Sequence, residues 1–353
     1  MAIVAHSFPF VIGVDTHART HTFAVLIAST GQRLAGETFP ASRAGLARAV
    51  AWASRRTGGD LDSLWVIEGV GSYGAQLAAA VTAAGFHVAE APRMNPGAQR
   101  GVGKNDPLDA SRIAAAVLPL DVTELRHPRA DDGARAALRV LVAAREQMTG
   151  ERTRSINALN AIARVVDLGL DARRALSGKQ IAEISHWRAR AEPIAISTAR
   201  SEAVRLARRV LELETDLTAN QAAMHGLLAQ TPAAQLLDKT GIGPVTAAVA
   251  FVTWSHVGRV RSEAAFASLA GVNPIPASSG NTTRHRLNRG GDRTLNRALH
   301  MATITRMRQD PETMAYVERR TAAGRTTKEV RRVLKRYLAR QIYRALNDAA
   351  PAT

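Results

Sequence analysis

Short apolar runs separated by turn residues fill the start of the chain: FPFVIGVD (8–15), HTFAVLIA (21–28) and QRLAGETF (32–39). Runs of this length, apolar or alternating, predict a three-stranded meander. ASRAGLARAVAWASRR (41–56) then spaces its apolar residues as a helix does, and SLWVIEG (63–69) predicts a buried strand. YGAQLAAAVTAAG (73–85) predicts a helix ended by Gly85, FHVAEA (86–91) another strand, and a further helix starts near Asp106, ahead of Pro107.

Three antiparallel strands followed by helix, strand, helix, strand and helix is the order of an α/β domain of the RNase H or RuvC-like kind. That order changes how four acids look. Asp15 closes the first strand (VIGVDTH) and Glu68 the fourth (WVIEG), each directly after apolar residues. A buried strand tolerates a carboxylate only at its mouth, because an unpaired buried charge costs several kcal/mol. In this fold the first and fourth strands are neighbours, so the two acids meet. In GVGKNDPLDASR (101–112), Asp106 and Asp109 are three residues apart and share one face of the helix that packs beside them. Singly, each has a plainer reading as a turn residue, a strand-end charge or an N-cap. Together they predict a site for hard divalent cations, magnesium or manganese, which take oxygen ligands and can steady both oxygens of a phosphodiester displacement. Lys104, beside the pair, is expected to face a phosphate.

From residue 131 to 230 the pattern is helical throughout. Ala203, Leu206, Val210, Leu213, Leu217, Asn220, Met224 and Leu227 alternate in spacings of three and four, a heptad seam with one asparagine that can fix register. The seam serves either a coiled coil between chains or a hairpin with the segment 134–162. In LLDKTGIGPVTAAVAFV (236–252) a Gly-Ile-Gly turn and a helix starting at Pro244 resemble a helix-hairpin-helix, whose backbone amides can hold a phosphate without reading bases.

LAGVNPIPASSGNTTRHRLNRGGDRTLNRALHMA (269–302) sets a Pro-, Ser- and Asn-rich loop before Arg284, Arg286, Arg289, Arg293 and Arg297, then a helix capped by Asp292. A hydroxyl beside a glycine and ahead of an arginine cluster suits attack on a phosphodiester: the glycine allows close approach and the arginines neutralise developing charge. The alternative is a plain flexible loop. The last helix, TKEVRRVLKRYLARQIYRAL (327–346), carries Val330, Val333, Leu334, Tyr337, Leu338, Ile342 and Leu346 on one face and arginines elsewhere. It either lies against nucleic acid or packs the domain with its charges solvated.

Charge sharpens the division. The 353 residues carry a formal net charge of +17, yet residues 1–120 hold 10 basic and 8 acidic residues, against 19 and 7 over 251–353. A near-neutral first third and a strongly basic end predict one domain for chemistry and another that grips a polyanion. No apolar run is long enough to span a bilayer, and MAIVAHSFPF lacks the basic and apolar parts of a signal peptide. With no cysteine there is no disulfide, thiolate metal site or cysteine nucleophile. A cytoplasmic, nucleoid-associated protein without a membrane partner is expected.

Four motifs stand in order: VDTH, IEGVGSYG, KNDPLDA and PASSG with RGGDRTLNRAL. Together they resemble the DEDD transposases of the insertion-sequence family typified by element one hundred and ten, an arrangement shared with Piv-type DNA invertases. The resemblance runs from about residue 9 to about residue 310 and implies three regions. These are a RuvC-like metal-dependent domain (1–125), a helical coiled-coil linker for oligomerisation (126–230) and a mainly α C-terminal transposase domain bearing a catalytic serine (231–353). It implies Asp15, Glu68, Asp106 and Asp109 as magnesium ligands and Ser279, directly before Gly280, as nucleophile. It also implies a serine–DNA covalent link, a noncoding bridge RNA that selects the DNA, and a tetramer built from dimers on double-stranded DNA. The family commonly has Gln or Glu before the serine. This chain has Ser278, which leaves two candidate hydroxyls, and the glycine neighbour favours Ser279. Competing readings are a RuvC-type structure-specific nuclease using water, a Piv-type invertase, and a non-catalytic nucleic-acid-binding protein with a structural acid cluster.

Overall fold

The computed structural model describes residues 2–92, 106–129, 133–171, 173–278 and 285–349, with the side chain of Asp106 left out. The chain forms two compact units, Met1–Arg129 and Ala130–Thr353.

In the N-terminal unit a short helix α1 (Val4–Ser7) precedes the three strands of the meander, β1 (Phe10–Thr16), β2 (Thr20–Ile27) and β3 (Arg33–Pro40). Helix α2 (Arg43–Arg56), strand β4 (Leu64–Ile67), helix α3 (Ala75–Ala83), strand β5 (His87–Glu90) and helix α4 (Asp106–Ala115) follow. The sheet order is β3-β2-β1-β4-β5. β1 runs antiparallel to β2 and parallel to β4, and β5 continues the parallel side. The run of apolar residues in β1 has a direct cause, since both of its faces are covered. Ile12 and Val14 turn towards α2 and α3 with Phe23, Trp65 and Leu77. Val11 turns to the opposite face with Leu64, Val66 and the α4 residues Ala110, Ile113 and Ala114. β3, at the edge, is mostly exposed and carries Arg33 and Glu37, as an edge that must resist further pairing does. Ser42 caps α2 by accepting the Gly45 amide, and Gly85 follows α3 with φ of +89°, as its sequence position predicts.

The C-terminal unit is helical apart from one hairpin. Its elements are α5 (Gly133–Val165), α6 (Gly178–Ser185), α7 (Ile194–Leu228), α8 (Pro244–Trp254), α9 (Glu263–Leu269), β6 (Pro274–Pro276), β7 (His285–Leu287), α10 (Arg293–Gln309), α11 (Pro311–Ala322) and α12 (Thr327–Asp348). The heptad seam lies on α7 and is used inside the chain. Ala203, Leu206 and Val210 are buried with Leu159 and Ala163 of α5 and Ile181 and Ile184 of α6. Asn220 is buried in the seam, where its amide donates to the Leu141 carbonyl at 3.0 Å and its oxygen accepts from Arg145 at 3.4 Å. The intramolecular hairpin with α5 is thus the arrangement present.

Further along, Met224 and Leu228 of α7 and Leu138 of α5 enter one core with α8, α10 and α12. The segments expected as 126–230 and 231–353 therefore share a core. Every residue of α8 from Thr246 to Trp254 is buried, which makes it the central helix of the unit. The hairpin expected ahead of α8 is only half helical. A short 3-10 turn, Ala234–Leu236, stands where an α-helix was expected, and Gly241 turns the chain at φ of +80° with no room for a side chain against the Ala302 carbonyl. α12 packs: Val330, Leu338, Ile342 and Leu346 are buried, whereas Val333 and Tyr337 stay exposed. Arg340 and Arg344 of α12 both bind Glu263 at the start of α9, so part of the basic charge is neutralised internally. No described helix is long and apolar enough to cross a membrane.

Candidate active site

In the N-terminal unit the site follows from strand parity. Alternate residues of a strand face opposite sides of a sheet. Val11 and Gly13 of β1 face α4, and so therefore does Asp15. Leu64 and Val66 of β4 face the same side, and Glu68 is the first residue beyond that strand. β1 and β4 are in parallel register, Val14 beside Ile67, and the Glu68 amide donates to the Val14 carbonyl at 3.0 Å, which brings the two acids to adjacent strand mouths. Thr16 reinforces the junction by donating from its hydroxyl to the Glu68 carbonyl at 2.9 Å.

Asp109 comes to this face because Gly13 lets α4 lie on β1. A Cβ at Gly13 would sit 2.1 Å from the Ala110 carbonyl oxygen and 2.7 Å from the Ala114 nitrogen. Gly13→Ala is expected to push α4 off the strand, lowering stability by about 1–3 kcal/mol in a denaturant titration, as overpacking does. It should also impair recombination although no acid is changed.

Asp15 and Asp109 are buried, and Glu68 is exposed. His17 Nε2 lies 3.3 Å from Asp15 Oδ2, and Arg112 Nη1 lies 3.3 Å from Asp109 Oδ1. Among the described residues no three His, Asp or Glu side chains are gathered closely enough to share an ion. The side chain of Asp106, like the whole of Lys104, lies outside those residues. Sequence reading missed the supporting set of Gly13, Thr16, His17, His21 and Arg112. His21 pairs with Thr16 across β1 and β2, and burial pushes its imidazole below the ordinary value, so it sits neutral at the edge of the site.

The second candidate group lies in the C-terminal unit. β6 and β7, which flank residues 277–284 in sequence, pair antiparallel, with Ile275 opposite Arg286. Ser278, two residues beyond β6, is exposed, while Ser279, Gly280 and Arg284 lie outside the described residues. The base of the hairpin is clasped by two glycines. A Cβ at Gly271 would lie 2.5 Å from the Gly290 oxygen, and one at Gly291 would lie 2.6 Å from the Leu269 oxygen, both at positive φ. Asn288 donates to Asn273 at 2.7 Å, Asn296 donates to the Ala270 carbonyl at 2.7 Å, and Asp292 caps α10 through the Leu295 amide. Arg286, Arg289 and Arg293 are exposed. Arg297 is also exposed and forms an ion pair with Glu146 of α5 at 2.8 Å.

Two family models match the chain. Residues 12–166 match a family model described as a transposase, of the DEDD type of IS110 elements. Residues 233–318 match one described as the IS116/IS110/IS902 transposase family. The chain is a DNA transposase. Because the two matches together take in more than half of it, we assign it to the IS110 family of insertion-sequence transposases. It is 26% identical, over 98% of both chains, to an uncharacterised 42 kDa protein of insertion element IS900 from Mycobacterium paratuberculosis. It is 32% identical, over 36% of this chain and 32% of the other, to an uncharacterised 43.6 kDa protein of IS110 from Streptomyces coelicolor.

Proposed function

We propose that this transposase cuts and rejoins DNA through a covalent link to Ser279, assisted by a divalent-metal site built from Asp15, Glu68, Asp106 and Asp109. The observation that carries this reading is the arrangement of β1, β4 and α4. Parity directs Asp15 to the side of the sheet that α4 covers, the Glu68 amide bonds to the Val14 carbonyl at the adjacent strand end, and the missing side chain of Gly13 lets α4 and Asp109 approach. The donors are all carboxylate oxygens, the chemistry that suits hard cations such as magnesium or manganese. When bound, such ions neutralise charge on the attacking and leaving oxygens.

Attack by the Ser279 hydroxyl forms an Oγ–P bond and breaks one strand ester. The hydroxyl proton is lost, and the departing strand oxygen takes one up. A free hydroxyl on the partner strand then reverses the exchange, releasing the serine. One ester replaces another of similar energy, so strand exchange needs no external energy source. Arg286 and Arg289 on and beyond β7, with Arg284 beside the loop, neutralise the transferring phosphate. A bridge RNA encoded by the same element selects donor and target DNA, and the working assembly is a tetramer of paired dimers.

The test uses the full chain with magnesium, the transcript flanking its reading frame and a nicked element-end substrate. A protease-sensitive protein–DNA adduct is expected. Cleavage without adduct would instead mark a RuvC-type nuclease using water, and no cleavage with retained binding would mark a non-catalytic protein. Inversion of a segment without its excision or insertion would mark a Piv-type invertase.

A further inference from the structure

Between α10 and α12 a group of partly buried basic side chains stands without a carboxylate partner among the described residues. Asn296 and His300 are one turn apart on α10, and Arg331 and Lys335 are one turn apart on α12. The two helices pack together within the core of the unit. Lys335 donates to the Asn296 side-chain oxygen at 2.6 Å, which fixes its ammonium group beside α10. Arg331 has a buried Nε with no hydrogen-bond partner. His300, Arg331 and Lys335 are only partly exposed, and none makes an ion pair with a carboxylate among the described residues.

Elsewhere in this unit the same kind of side chain is neutralised: Arg340 and Arg344 by Glu263, Arg297 by Glu146. Two partly buried cations, Arg331 and Lys335, left together without a carboxylate are unfavourable unless an anion joins them, and His300 adds an imidazole donor beside them. Burial first, and then the neighbouring cations, hold Lys335 and His300 below their ordinary values, and no acid offsets this.

We propose that His300, Arg331 and Lys335 form a seat for one backbone phosphate of a nucleic-acid strand. The oxygens of a phosphodiester would accept from the imidazole, guanidinium and ammonium donors and offset the repulsion between Arg331 and Lys335. The seat is also tied to the serine hairpin. The Asn296 amide that Lys335 orients donates to the carbonyls of Ala270 and Gly271, and Gly271 forms half of the glycine clasp. A strand held at the seat is therefore registered against the hairpin base through three consecutive polar contacts. The proposal rests on the chain handling nucleic acid, not on the identity of the nucleophile, and its test reads binding alone.

The experiment measures affinity of the full chain for a mixed-sequence DNA duplex and for a mixed-sequence single-stranded RNA across a salt series. Each phosphate neutralised contributes about 0.9 to the logarithmic salt slope on duplex DNA and about 0.7 on single strands. The double variant Arg331→Gln/Lys335→Gln is compared with Lys328→Gln/Arg332→Gln, which removes the same charge from exposed positions of α12. The seat variant should lose roughly one phosphate's worth of slope beyond the control. A loss on DNA only, RNA only or both identifies which strand sits there. Equal slopes for the two double variants on both ligands would overturn the proposal. If circular dichroism shows the seat variant unfolded, Arg331→Gln alone decides by the same criterion, since it leaves the Lys335–Asn296 bond in place.

Discussion

Ser279→Ala should abolish the covalent protein–DNA adduct and cut recombination by roughly a thousandfold or more, as loss of a nucleophile does. Ser278→Ala should retain both. The contrast is informative because the residues are adjacent and equally small, so a general disturbance of the hairpin tip would affect each alike. The hairpin base is set by Gly271, Gly291 and the Asn288–Asn273 bond, none of which is changed in either variant. The readout is a gel-shifted, protease-sensitive band on a nicked substrate, with recombinant joints counted in parallel. An adduct formed by Ser279→Ala would move the nucleophile to Ser278 or away from the loop.

Asp15→Asn and Asp109→Asn form the second large expectation. Each keeps side-chain shape and removes a charge from a buried position facing the other element. Recombination should fall on the order of 10²–10³-fold, comparable to losing one preorganised electrostatic contact in an active site. The fold should be retained in circular dichroism, since each change keeps side-chain shape, although it gives up the ion pair with His17 or Arg112. Glu68→Gln and Asp106→Asn should behave alike. Full recombination after replacing any two of the four would sink the metal-site reading.

The N-terminal fold was legible because its signals are local. An apolar run such as VIGVD or WVI ending in an acid marks both a strand and its mouth, and the helix–strand alternation gives the sheet order. What could not be read was Gly13. In sequence it is one more small residue in an apolar run, and its role exists only because α4, far along the chain, lies across it. The heptad seam of α7 was equally plain, but periodicity reports an apolar stripe and not what covers it. The answer came from α5 and α6. β6 and β7 escaped notice for a different reason: strands of three residues, one with proline at both ends, have no alternation to detect. Likewise Arg297 looked like its neighbours until α5 brought Glu146 to it. Net charge predicts a partner for a surface, yet only the fold tells which charges are already matched.

The burial of α8 sets how the C-terminal unit opens. Its backbone amides from Thr246 to Trp254 have no face that fraying could wet, so their exchange with solvent deuterium requires the surrounding helices to part. Those helices come from both ends of the unit: α5 and α7 on one side in sequence, α10 and α12 on the other. Exchange at α8 should consequently track the free energy of opening the unit as a whole, while α11, with one buried side chain, exchanges through local excursions. A proteolytic cut or frameshift that removes α12 would not trim an appendage; it would uncover α8 and release the hairpin that holds the serine.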